Sequence, residues 1–442
     1  MISEISPKIA ENIIKTLEAG IVPKKGIQYL LVGRNDEVHE IISILDRVSE
    51  GESDIRFWVG DFGSGKSFIL RTIESLALQK KFVVSTVDLT PARKFYASDG
   101  KSKALYSEII DNIVIQTSQN GNTINIILEE WINKVLVDVA KKENIAIVEL
   151  MKLENKDLIE NEIINITSSF YSVGLSYEFG QAICKYFEGI VSKNNVLKLK
   201  ALRWIRGDIE TKTESKKELG ITKIIDDHNW YEAIKNLGEL FFNIGYSGFV
   251  INFDEVVNLY KLPLSLMREK NYEKILNIFN ECKSNEARGL FINFGATRKT
   301  IFDENRGMSS YGALKSRFGS EESMDIKLVN INRTVLSLKP LTEEDIFTLL
   351  ENLVNIYNIH HKKNIDFLME DIKIYMEEQL NRPGADEFLT PRAVIKDFLE
   401  ILDLVRQNEN ENPRAIIYNK FGKNLEPIKK DEDNIDDDIE VL

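Results

Sequence analysis

Cysteine is scarce in this chain. Only Cys184 and Cys282 occur among 442 residues, too few for a disulfide framework or a zinc ribbon. Histidine occurs four times. His360 and His361 are adjacent while His39 and His228 stand alone, so buried thiols and solvated imidazoles, with no structural metal, are the plain reading. No apolar run approaches the roughly 20 residues needed to span a bilayer. The start, MISEISPKIAENIIK, has an early acid and no apolar block, unlike a secretory signal. A cytoplasmic protein with no membrane partner is expected. Positive charge is also in deficit: a net charge of −13 argues against a surface that attracts nucleic acid as a whole. Seven of the carboxylates fall in residues 431–440, inside an acidic tail (426–442) expected to be disordered. The remainder carries −6, so a local basic patch is not excluded.

Apolar residues make up 43% and charged residues 29%, the balance of an ordinary globular chain with length for two or three packed units. One short stretch stands out. GDFGSGKSF, residues 60–68, follows the apolar run IRFWV and precedes ILRTIESLAL, whose apolar residues have helical spacing. Gly60, Gly65, Lys66 and Ser67 match G-x-x-x-x-G-K-[ST] at every fixed position, in the strand–loop–helix context that pattern requires. Glycines let successive N–H groups curl around an anion, and the helix presents its positive end to the same point. The expected nucleotide loop comprises Gly60, Asp61, Phe62, Gly63, Ser64, Gly65, Lys66, Ser67 and Phe68. Lys66 is expected on the β/γ-phosphates of ATP, and Ser67 on Mg²⁺.

Hydrolysis needs an acidic partner on another strand. In GFVINFDEVVNLY (248–260) the run Phe249–Phe253 reads as a buried parallel strand ending in Asp254 and Glu255. Asp254 is the expected Mg²⁺ ligand and Glu255 the group that activates water. Further strands are expected at 82–89, 289–297 and 334–341, with a helix around 271–283. Strands alternating with helices imply an α/β fold with a parallel sheet covered on both faces. Thr297 ends its strand at the same edge as Asp254. Its hydroxyl either touches the γ-phosphate and water or makes a strand-end turn.

Lys66 and Asp254 are 188 residues apart, far more than a crossover needs. The residues between include a mostly helical insertion at about 115–230, where NIILEEWINKVLVDVA sets Leu128, Trp131, Ile132 and Val135 on one helix face. This insertion is the expected platform for a partner. Its stretch Lys193–Arg206 has five basic residues, one tryptophan and no acids. It either binds a phosphate backbone or is a solvated face over a core tryptophan. Residues 339–425 read as a small helical domain, with a capping-box-like start at Thr342 and Asp345 and a second helix opened by Pro391. Arg392 opposes that helix's dipole and is compensated by a nucleotide phosphate or by an acidic neighbour. The expected domains are a core over 1–338, carrying the insertion, the helical domain over 339–425, and the tail.

These residues resemble the AAA+ ATPases over about 30–405. LLVGRNDEV (30–38) looks like the family's box before the first strand, which implies Gly33 and Arg34 near the adenine and a helical lid. The resemblance makes 60–67 the Walker A loop, VINFDE Walker B, Thr297 sensor 1, Arg392 sensor 2 and Arg317 in ALKSRF the arginine finger, with Arg306 the alternative. AGIVPKKGIQYLLVGR, ALRWIRGD, IGYSGFVINFDEVVNLYKL and RGMSSYGALKSRF are similar to a narrower family, the BrxD-like ATP-binding proteins of BREX-type phage defence. That likeness implies a homo-oligomeric ATPase in bacterial defence, partnered by a helicase or another defence protein, or by DNA. The alternatives are a slow nucleotide-dependent switch or scaffold, and an origin-recognition-like loader. The loader would need a winged-helix domain after residue 405, where 37 residues remain.

Overall fold

The structure, a computed structural model, describes residues 5–170, 174–319, 333–382 and 390–423. The chain divides into two units. One joins the chain up to Val32 with the chain from Leu341 onward, and the other is Gly33–Pro340. The expected acidic tail lies outside the described residues.

Helix α1 (Pro7–Glu18) opens with Pro7 at its first position and the Ser6 hydroxyl capping the Ile9 N–H, and it buries Ala10, Ile13, Ile14 and Leu17. Within Gly33–Pro340 follow α2 (Asn35–Ser49), β1 (Asp54–Val59), α3 (Lys66–Gln79), β2 (Val83–Asp88), α4 (Lys101–Asp111) and β3 (Ile113–Val114). The insertion comprises α5 (Ile124–Glu143), α6 (Ile147–Leu150), α7 (Lys156–Ser168), α8 (Ser176–Val191), α9 (Asn195–Ile205) and α10 (Lys212–Leu219). Helix α11 (Trp230–Ile244) leads back to β4 (Phe249–Asp254), α12 (Val257–Tyr260), α13 (Ser265–Lys283), β5 (Leu290–Ala296), α14 (Arg298–Phe302), α15 (Gly312–Phe318) and β6 (Val335–Ser337).

The sheet order is β3-β2-β4-β5-β1-β6. All pairings are parallel except β2 with β3, so the sheet is mixed where a wholly parallel one is expected. The two-residue β3 turns back along the outer edge, which a strand of that length manages without a crossover. Alternation along the buried strands sorts side chains to two faces. Trp58, Val84, Val250 and Phe291 pack against α2 and α3. Phe57, Phe253 and Phe294 face the opposite layer, with Phe57 stacked on Phe294 at 4.6 Å. The insertion continues that second layer: Trp131, Phe179, Trp204 and Trp230 belong to the same core.

The other unit holds α16 (Glu343–His361), α17 (Met369–Leu380), α18 (Pro391–Gln407) and α19 (Pro413–Lys420). Thr342 and Asp345 form a reciprocal capping box at the start of α16. The expectation that residues 1–32 belong to the core is corrected here. Helix α1 packs on α16 and α18, because its apolar stripe needs a partner face and finds one there.

Candidate functional site

At the carboxyl end of β1 the Gly60 N–H still donates to the Ala296 carbonyl of β5, at 3.1 Å. A Cβ at Gly60 would lie 2.2 Å from Ser64 Oγ, so only glycine fits. Gly63 and Gly65 have φ of 83° and 95°, in the left-handed region that glycine enters without strain. The chain therefore curls through Asp61, Phe62 and Ser64 and enters α3 at Lys66, with Ser67 and Phe68 in the first turn. Lys66 Nζ lies over the loop, donating to the carbonyls of Gly60 (2.9 Å) and Asp61 (2.6 Å), and stands 5.5 Å from the centre of the Phe62 ring. That ring is 72% exposed. Ser64 Oγ is buried with no hydrogen-bond partner among the described residues.

Glycine 295, which sequence reasoning passed over, decides what meets the loop. Strand β5 lies between β1 and β4. A Cβ on Gly295 would be 3.0 Å from Asp254 Oδ1 and 3.7 Å from Lys66 Cβ. One empty side-chain position thus brings the loop lysine and the acidic strand end together. The signal was a glycine inside a buried apolar strand, which marks a close approach. The Glu255 N–H donates to Asp254 Oδ1 at 2.8 Å. Glu255 is exposed with φ of 54°, a costly conformation for a residue with a Cβ and one that collects at functional sites. Asp88 pairs in register with Asp254. Lost hydration and the neighbouring Asp254 charge push its carboxyl above the ordinary value.

Arg34 is tied into the loop. It is 6% exposed, pairs with Glu37 at 3.2 Å, and donates to the carbonyls of Ser64 (3.3 Å) and Lys339 (2.7 Å). Its guanidinium braces the loop through the Ser64 carbonyl. Gly33, beside it, has φ of 62°. The Thr297 hydroxyl accepts from the Thr300 N–H at 3.2 Å and lies 2.8 Å from the Thr300 hydroxyl. It caps α14, the strand-end turn of the two readings. Arg317 is exposed. Its Nε donates to Asn280 and its Nη1 to the Ala313 carbonyl, beside the Phe279 ring. Arg306 donates to the carbonyls of Tyr260, Lys261 and Leu262, which commits it to local structure. Asp303 is held by Tyr260, Asn305 and Arg306; the Tyr260 hydroxyl leads in keeping its carboxyl below the ordinary value. Arg392, exposed in the first turn of α18, belongs to the other unit.

The basic stretch is largely neutralised. Lys198 pairs with Glu129, Lys200 with Glu218, Arg203 with Glu214, and Arg206 with Asp111 and Asp208, while Trp204 is buried in the core. A DNA backbone would have to displace four sets of carboxylates, so the structure favours the solvated-face reading. Cys184 and Cys282 are buried free thiols, both pushed up to about 12 by desolvation. Among the described residues no group of side chains has the makings of a His/Cys/Asp/Glu metal cluster, and no helix is long and apolar enough to cross a membrane.

An α/β unit with a glycine-built loop between a buried strand and a helix, and a lysine closed over it, is of the ATP-binding class. The model of the family described as BREX system ATP-binding protein BrxC/D matches residues 5–420, and the chain belongs to that family. It is accordingly an ATP-binding protein of BREX phage defence. No curated protein matches it.

Proposed function

We propose that this chain is an AAA+ ATPase, which binds ATP with Mg²⁺ and hydrolyses it to drive or switch assembly on a partner protein or DNA in BREX defence. The observation that carries the reading is the gap at Gly295, where the Lys66 and Asp254 side chains approach one point. The donor set suits a hard divalent cation: the Ser67 hydroxyl opens α3, and Asp254 offers the carboxylate oxygen that Glu255 N–H leaves unoccupied. Those two residues would hold Mg²⁺, which when bound supplies charge neutralisation on the phosphate oxygens.

The chain's own residues do the rest. Backbone N–H groups of Gly60–Ser67 cradle the phosphates, and Lys66 exchanges its loop carbonyls for β/γ oxygens. Glu255, solvent-facing and held in one backbone conformation, accepts the proton of the attacking water. Thr297 acts by holding the start of α14, and Arg34 by fixing the Ser64 carbonyl. Arg317 serves as the finger in trans, supported by its exposure and by the commitment of Arg306 elsewhere. Arg392, in the first turn of α18, keeps the sensor 2 role that the resemblance implies. The paired charges of α9 weigh toward a protein partner over DNA.

The test is phosphate release by the full chain, with and without duplex and single-stranded DNA, compared with Lys66→Ala. Turnover that depends on Lys66 and rises with a ligand supports the motor. Slow, unstimulated turnover leaves a nucleotide switch, and turnover unaffected by Lys66→Ala removes the site.

A further inference from the structure

Where α11 meets α13, one lysine sits over aromatic rings with no acid of its own. Lys274, on α13, is half-buried. Its Nζ stands 5.7 Å from the centre of the Trp230 ring and 5.3 Å from that of Tyr231, both at the start of α11. The two rings are buried. Among the described residues the Lys274 amine makes no hydrogen bond and no ion pair. Aromatic faces attract a cation but give it no acceptor to replace the water it has lost. The acids that act on it are Glu281, on its own helix, and Glu232, on α11. Glu281 is already taken by Lys235, at 2.8 Å. Lost hydration leads, the two acids oppose it and the Lys235 charge adds to it, so the Lys274 amine lies below the ordinary lysine value.

Lys235, on α11, completes the arrangement. Its Nζ stands 5.5 Å from the centre of the same Tyr231 ring. One of its three N–H bonds goes to Glu281, which leaves donors for an anion. A desolvated amine beside a fixed ammonium is the pairing that turns a lysine into a nucleophile. The setting is held from below. The Trp230 indole N–H donates to the Phe95 carbonyl at 3.2 Å. Asn271, one turn before Lys274, accepts from the Tyr96 N–H at 3.0 Å. Both helices are thus tied to one loop, and neither lysine has a part in the candidate ATP site.

The geometry points to Lys274 as an acylation site for a small acyl phosphate, with Lys235 holding the phosphate. The unprotonated amine attacks the acyl carbonyl carbon. The C–N bond forms as the bond from that carbon to the phosphate oxygen breaks. Phosphate leaves with the electron pair and takes up the proton that the amine sheds. The products are an amide on Lys274 and inorganic phosphate. An uncharged acyl reagent meets the same nucleophile but gains nothing from Lys235.

The experiment treats the full chain with acetyl phosphate, and separately with acetic anhydride, and follows each lysine by peptide mass spectrometry. Lys217, exposed on α10, is the internal reference. Lys274 should be acetylated about tenfold or more faster than Lys217 by either reagent, and its rate should level off at a lower pH. Lys235→Gln should lower the ratio of the acetyl phosphate rate to the anhydride rate at Lys274 by about tenfold or more, and Lys235→Arg should restore it. If Lys235→Gln unfolds, inorganic phosphate takes its place as the probe: added to the wild type, it should slow acetyl phosphate at Lys274 and not at Lys217. Equal rates at Lys274 and Lys217 overturn the inference. So does a ratio that Lys235→Gln leaves unchanged, or a Lys274 rate indifferent to phosphate. Nucleotide is absent throughout, so failure here leaves the ATPase reading intact.

Discussion

Replacing Gly295 with alanine adds one methyl group to a place where three parts of the site converge. The added Cβ would stand 3.0 Å from Asp254 Oδ1, 3.1 Å from Leu70 Cδ1 and 3.7 Å from Lys66 Cβ. The leucine end can turn aside. The carboxylate oxygen cannot do so freely, because it accepts the Glu255 N–H at 2.8 Å, and Glu255 is itself held at φ of 54°. Relief therefore costs either overpacking, about 1–3 kcal/mol, or that charge-assisted hydrogen bond, about 1.5–3 kcal/mol. Stability should fall by about 2 kcal/mol, read in a unit of this size as a drop in Tm of roughly 3 °C. Because the displaced oxygen belongs to the expected Mg²⁺ ligand, phosphate release should fall by about tenfold or more. Gly312→Ala is the control: a Cβ there meets nothing within 4 Å, and stability should hold or rise slightly. A Gly295→Ala protein with wild-type melting and turnover would refute the reasoning, because the lysine and the acidic strand end would then have no shared constraint at this point.

Other substitutions probe the remaining parts. Lys66→Ala should remove tight ATP binding, since a charge-assisted phosphate contact contributes about 1.5–3 kcal/mol; calorimetric titration with ATP checks it. Glu255→Gln should keep ATP bound while turnover falls about 10²–10⁴-fold. Glu255→Gly should lose turnover equally yet gain about 1 kcal/mol in a denaturant melt, because glycine accepts the positive φ. Arg317→Ala should bind ATP and hydrolyse it poorly, and mixing it with Lys66→Ala should restore some phosphate release; a mixture no more active than its components removes the trans finger. Asp88 has a raised folded pKa, so its contribution to stability is present below the ordinary value of 3.8 and is lost as pH rises through the raised one. Asp88→Asn should therefore be the more stable protein in neutral urea melts, with the difference vanishing below about pH 3.8.

The parts legible in the sequence are those written in adjacent residues. The loop at 60–68 announces itself through glycine spacing, and β4 through four apolar residues around Asn252 ending in two acids. Contacts between distant segments are less legible. No local pattern says that α1 closes on α16 and α18, more than 300 residues later. The cations of α9 looked unopposed because Glu129, Asp111, Glu214 and Glu218 lie outside their stretch, although the i,i+4 spacing of Glu214 and Glu218 marked a one-sided acidic face. Glu255's backbone had no sequence signal, since glutamate rarely takes positive φ. Arg34 shows the opposite limit: its position was flagged, but only side-chain directions reveal that it grips Ser64 and Lys339.

The partnership of α1 with the far end of the chain has a consequence for synthesis. Translation at about 5–20 residues per second completes α1 roughly 20–80 seconds before α18 exists. Throughout that interval Ala10, Ile13, Ile14 and Leu17, buried in the finished protein, have no native cover, while the sheet and insertion between them can already fold. Burial of α1 therefore waits for α16 and α18, and a chain interrupted after residue 340 would carry that helix with its apolar stripe uncovered, a target for chaperones.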